Sequence, residues 1–144
     1  MKTNRIFILF IAVFLTYSCK KTDTVEPFTN SVLPSNYVNQ GTIEVKSSTL
    51  KICVWDYSTV DGDVIDLLVN GKKMLTNFPL TEKQECIELT LPKGENWIGV
   101  SAIEEGYLPP ASPHVEIYDG IRTQGFDILA YINKPGGYKI KVVL

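Results

Sequence analysis

From Gly41 to the C-terminus, apolar and polar residues alternate in short runs broken by turn-forming pairs, and no window carries a sustained helical stripe. That pattern predicts an all-β domain with strands near 42–46, 49–56, 63–69, 72–75, 84–91, 97–102, 114–118, 122–129 and 137–143. Asn70-Gly71 and Asp119-Gly120 accept the positive φ angles of tight hairpins, and the stretch 92–96 (PKGEN) reads as a short reverse loop. Short strands at this spacing predict a two-sheet antiparallel β-sandwich of immunoglobulin-like type over 41–144.

Alternation also assigns faces. Leu50, Ile52 and Val54 share one side of their strand, which leaves Lys51, Cys53 and Trp55 on the other. In the 84–91 strand, Ile87, Leu89 and Leu91 lie together and Cys86 falls opposite, with Glu88 and Thr90. Both cysteines therefore point away from the aliphatic set. If the two strands are neighbours, Cys53 and Cys86 close a disulfide in an oxidising compartment; otherwise they are two separate thiols.

The N-terminus follows another pattern. Lys2 and Arg5 precede the apolar run 6–15 (IFILFIAVFL), and small or polar residues then lead to Cys19. Ten apolar residues fall short of the roughly 20 that a membrane-crossing helix needs, so residues 1–18 read as a secretory signal peptide. The segment LTYS-C resembles the lipobox of bacterial lipoproteins, with Leu15 displaced by one place, and the following Cys-Lys-Lys is similar to relaxed boxes of Bacteroidota. The resemblance implies lipidation of Cys19 and a membrane anchor of acyl chains, each buried methylene contributing about 0.8 kcal/mol. Residues 19–40, rich in Thr, Asn, Ser and Pro, read as the lipidated cysteine and a flexible tether. The implied location is the cell envelope, on the outer membrane, with either face open.

Composition changes the picture only after this division. The chain has 144 residues, 14 basic and 16 acidic; removing Lys2 and Arg5 with the signal leaves 12 against 16, a net −4. That balance does not suit a nucleic-acid binder.

The strongest polar grouping is Asp56, Asp61, Asp63 and Asp66 in WDYSTVDGDVID. Clustered carboxylates around a glycine turn suit calcium, which takes six to eight oxygens. An EF-hand is excluded, because Lys72 stands where a loop counted from Asp61 needs its glutamate. The same acids equally serve a turn by accepting nearby backbone N–H groups. If strands alternate in direction, loops 57–62, 76–83, 103–113 and 130–136 gather at one end, and turns 70–71, 92–96 and 119–120 at the other. The first end then carries Asp56, Asp61, Asp63, Glu104, Glu105, Tyr107 and a proline-stiffened segment, a rim suited to calcium, a peptide or a glycan. Among the aromatic residues, Trp55 is the best candidate for sugar stacking, since it lies opposite the aliphatic set.

Catalytic signatures are sparse. His114 is the single histidine, with no GxSxG, HExxH or Cys-His pattern beside it, which also argues against zinc.

Residues 50–143 resemble a β-sandwich module of secreted proteins and lipoproteins of Bacteroidota. The resemblance rests on the DGD-type loop (Asp56, Asp61, Gly62, Asp63), the Asn70-Gly71 end, the Gly94-Glu95-Asn96 turn, the segment with Ala102, Glu105, Gly106, Pro109 and Pro110, and Asp119-Gly120. It implies the fold and the compartment, and no enzyme activity. The expectation is therefore a non-catalytic envelope lipoprotein, held to the membrane by its lipid, that binds or scaffolds a protein or glycan partner. A calcium-binding module and a cryptic hydrolase built on His114 are the alternatives.

Overall fold

A computed structural model describes residues 26–144; the apolar run 6–15 and Cys19 lie outside the described residues. Nine strands form two sheets: β1 (Val38–Val45), β2 (Thr49–Trp55), β3 (Val64–Val69), β4 (Lys72–Pro79), β5 (Glu85–Thr90), β6 (Gly94–Glu104), β7 (His114–Tyr118), β8 (Thr123–Asp127) and β9 (Gly136–Val142). One sheet has the order β1-β9-β6-β3-β4 and the other β5-β2-β7-β8. The all-β, immunoglobulin-like sandwich expected from the alternation is the observed fold. Its core is the inward half of each strand: Leu50, Ile52 and Val54 of β2, Ile65, Leu67 and Val69 of β3, Ile98 and Val100 of β6, Val115 and Ile117 of β7, all buried.

Three details differ from the sequence expectation. The β1–β9 pairing is parallel, with Val45 opposite Val142, whereas the other ladders of the described residues are antiparallel. Strand β6 starts at Gly94, so most of the stretch read as a reverse loop is strand. The buried Asn96 side chain explains this, because its amide donates back to the Pro92 and Gly94 carbonyls and folds a tight turn onto the strand start.

The third difference concerns the segment read as a tether. The expected boundary at 40/41 falls inside β1, and the chain is already docked from Phe28 onward. The Asn30 side-chain amide donates to the carbonyls of Lys93 and Glu95, Asn70 donates to Thr29 O, and the Trp97 indole donates to Ser31 Oγ. Tyr37 packs on Trp97 with ring centroids 5.2 Å apart and bonds Ser101 through its hydroxyl. Trp97, Gly99 and Ser101 alternate with the core residues of β6, so residues 31–37 cover the outer face of the five-stranded sheet, while Phe28 packs against the core at the open side between β4 and β5. Glycine makes room for the cover: a Cβ at Gly99 would stand 2.6 Å from the Tyr37 ring, and one at Gly137 2.9 Å from Leu33.

The side of the sandwich formed by β1 and β8 is closed by side chains. Gln40 accepts from Leu129 N–H and donates to Leu129 O, in the manner of a neighbouring strand, while Arg122 and Gln124 donate to Glu44 O. Asp119 joins the sheets at the turn end: its carboxylate accepts the backbone N–H groups of Lys46, Ile121 and Arg122. These bonds hold its carboxyl below the usual range despite burial.

Candidate functional site

Strand direction gathers the loops as the sequence suggests. β3 runs from the loop end toward Asn70-Gly71, and β6 returns from Gly94 to Glu104, with Val64 opposite Glu104 and Val69 opposite Ile98. The 57–62 and 103–113 loops meet through carboxylates. Asp61 accepts Leu108 N–H at 2.6 Å through Oδ2, its carbonyl accepts Tyr107 N–H, and Asp63 Oδ1 accepts Gly106 N–H at 2.8 Å. Gly106 is required there, since a Cβ would stand 2.5 Å from Asp61. Glu105 extends the network by accepting Ile132 N–H at 2.7 Å.

These bonds answer the calcium expectation. Asp56 Oδ1 accepts Ser58 N–H in its own turn, Asp61 and Asp63 hold the 103–113 loop, and Asp66 binds Lys73 Nζ and Asn77 N–H at the β3–β4 pair. Asp61 and Asp63 lie side by side on the 106–108 backbone, where Asp61 adds to the raising of the Asp63 carboxyl, and Asp66 bonds elsewhere. Among the described residues no group of three or more His, Cys, Asp or Glu side chains is arranged to hold a metal ion. Asp56 shapes its own turn, whereas Asp61 and Asp63 pin a loop more than forty positions away. Asp63, only 4 % exposed, is held above the usual carboxylate range, chiefly by burial, with the Gly106 bond opposing. Asp66 is lowered; burial opposes, and the Lys73 and Asn77 bonds win.

What these carboxylates support is an exposed apolar rim. Tyr107 is 90 % exposed, Leu108 65 % and Tyr57 74 %, and Val60, Tyr131 and Ile132 are exposed on the loops beside them. Glu104 is exposed and Glu105 half-buried at its edge. A hollow of about 600 Å³, lined by Glu105, Tyr131, Ile132, Asn133 and Lys134, opens on the same side. Leu108 and Ile132 escaped the sequence reading, although a Tyr-Leu pair ahead of two prolines was a usable signal: apolar residues in a loop that no ladder can bury.

Trp55 requires a correction. It is 8 % exposed, packed edge-on against His114 at 4.8 Å, and so offers no free face to a sugar. Facing away from the aliphatic core did not expose it, because His114 of the neighbouring β7 covers the ring, and Tyr57 lies against the same imidazole at 5.0 Å. His114 Nδ1 bonds Asp127 Oδ1 at 2.6 Å. Among the described residues no serine hydrogen-bonds this pair.

Cys53 and Cys86 form a disulfide across directly paired positions of β2 and β5. Their strands are neighbours, which the sequence left open.

No family model matches the chain, and neither the curated proteins nor the solved structures contain a match to it.

Proposed function

We propose that this protein is a non-catalytic, lipid-anchored module of the cell envelope whose loop end binds a partner protein. The reading combines the lipobox-like sequence before Cys19, which supports a lipid anchor in the envelope, with one structural observation that carries it. Tyr107 and Leu108 are exposed side by side on a loop whose backbone is pinned by Asp61 and Asp63. Exposed apolar side chains on a preorganised backbone bind without the cost of ordering the loop, which is the character of an interface anchor. The partner surface offers an apolar pocket for these two residues and basic groups toward Glu104 and Glu105.

Orientation supports the same reading. Residues 29 and 30 are fixed at the turn end, by Lys93, Glu95 and Asn70, the end opposite Tyr107, and an anchor upstream of them favours a rim that faces away from the membrane.

The test has two arms. Globomycin leads to accumulation of the precursor, and mass spectrometry finds acyl chains on Cys19; unchanged processing overturns the anchor. In detergent-solubilised envelopes the wild-type chain elutes as a complex larger than its own mass. The Y107S/L108S variant elutes alone, while K93S at the turn end behaves as wild type. Unaltered elution of Y107S/L108S overturns the rim.

A further inference from the structure

The two outer faces of the sandwich are unlike. Residues 31–37 cover that of the five-stranded sheet, whereas that of the four-stranded sheet carries a furrow. Two hollows, of about 290 and 220 Å³, lie on it and share Lys51 and Tyr118. Glu88 lines the first, and Gln84, Glu116 and Thr123 line the second. Together they make one shallow furrow that crosses the strands, and three inter-strand spacings of about 4.8 Å give it a length of about 14 Å. The Cys53–Cys86 bond clamps its floor where β2 meets β5.

Tyr118 stands in the middle, 45 % exposed, and its hydroxyl donates to Gly120 O at 3.0 Å. The bond fixes the ring at its far end, so stacking on the ring costs little side-chain entropy. Around it stand the Lys51 ammonium and Gln84 amide as donors and the Glu88 and Glu116 carboxylates as acceptors. One lysine between two carboxylates repels a polyanion, and a single aromatic ring is too little apolar area for the core of a protein interface. A chain of neutral sugars fits both conditions. Its rings present C–H faces to an aromatic ring, and its hydroxyls both donate and accept.

We infer that the outer face of the four-stranded sheet is a second binding site, for a neutral glycan laid across the strands with one sugar stacked on Tyr118. Lys51 and Gln84 donate to its hydroxyls, and Glu88 and Glu116 accept from them. The site is independent of the loop-end rim.

Affinity electrophoresis of the mature chain tests this, in gels containing hydroxyethylcellulose, arabinoxylan, galactomannan or soluble starch, with polygalacturonate as the acidic control. At least one neutral polymer retards the protein and polygalacturonate does not. Y118A weakens the retardation constant by at least about tenfold. K51A, which leaves the ring in place, weakens it several-fold, and melting temperatures verify that both variants are folded. Y107S leaves retardation unchanged, which separates this site from the rim. Absence of retardation in all four neutral gels, or retardation that survives Y118A and K51A, overturns the proposal.

Discussion

The indole N–H of Trp97 donates to the hydroxyl of Ser31 at 3.1 Å, across 66 positions of sequence. A β6 residue on the outer face of its sheet is thereby buried by a segment that belongs to no strand. Removal of residues 26–33 is expected to expose the indole, seen as a red shift of its emission and a lower melting temperature. G99A tests the same packing from beneath, since its Cβ meets the rings of Tyr37 and Trp97 at 2.6 and 2.9 Å. Overpacking there lowers stability by about 1–3 kcal/mol in denaturant unfolding. Wild-type stability in both proteins would mean that residues 31–37 do not cover the sheet.

Cys53 and Cys86 enclose 33 residues of sequence separation, including β3 and β4. Closing a loop of that size contributes about 3–4 kcal/mol on the chain-entropy account. The C53A/C86A protein is expected to unfold at a correspondingly lower denaturant concentration, and reductant lowers the wild-type midpoint without moving that of the double variant. Equal midpoints for the oxidised wild type and C53A/C86A would contradict the bond.

Asp119 and Asp63 affect acid stability with opposite signs. The folded Asp119 carboxyl is lowered by its backbone bonds, so its contribution is present above the unfolded value of about 3.9 and is lost as pH falls through the folded value. D119N is accordingly less stable than wild type at neutral pH, and the two converge in acid. Asp63 is raised by burial: its protonated form is favoured, so its contribution is full below about pH 3.9 and declines as pH rises through the folded value. The wild-type minus D63N difference therefore falls with rising pH. Melting temperatures of the three proteins from pH 2 to 8, a span of roughly two units below and four above the unfolded value, measure both slopes.

The carboxylates at the loop end are acceptors for amides. Millimolar calcium is expected to leave the melting temperature unchanged. D63A deprives the Gly106 N–H of its partner and costs about 1–3 kcal/mol. A calcium-dependent rise in melting temperature that D61N or D63N abolishes would restore the metal reading.

Much of this arrangement is legible in the chain. Alternation in 50–54 assigns the core face of β2, and the Asn-Gly and Asp-Gly pairs mark hairpin ends, because both are local effects of backbone geometry. Residues 28–37 were not legible as structure. Phe28, Leu33 and Tyr37 follow no period, since a covering segment takes its spacing from the surface beneath it. Trp55 shows a second limit: alternation assigned its face correctly, but its burial depends on His114 of β7, a neighbour that only the tertiary structure supplies. The use of the four aspartates is of the same kind: Asp61 and Asp63 hold Leu108 and Gly106 of one distant loop and Asp66 holds Asn77 of β4, partners that closeness in sequence does not announce.

On the proposed function, the loop end pinned by Asp61 and Asp63 is where the protein meets its partner. Replacement of Tyr107 by a photo-crosslinking amino acid in intact cells measures this most directly, with the same group at Lys93 as the turn-end control. One discrete adduct is expected from position 107, reproduced from Leu108 and absent from position 93. Adducts from position 93 alone, or the same adduct from both ends, would contradict it.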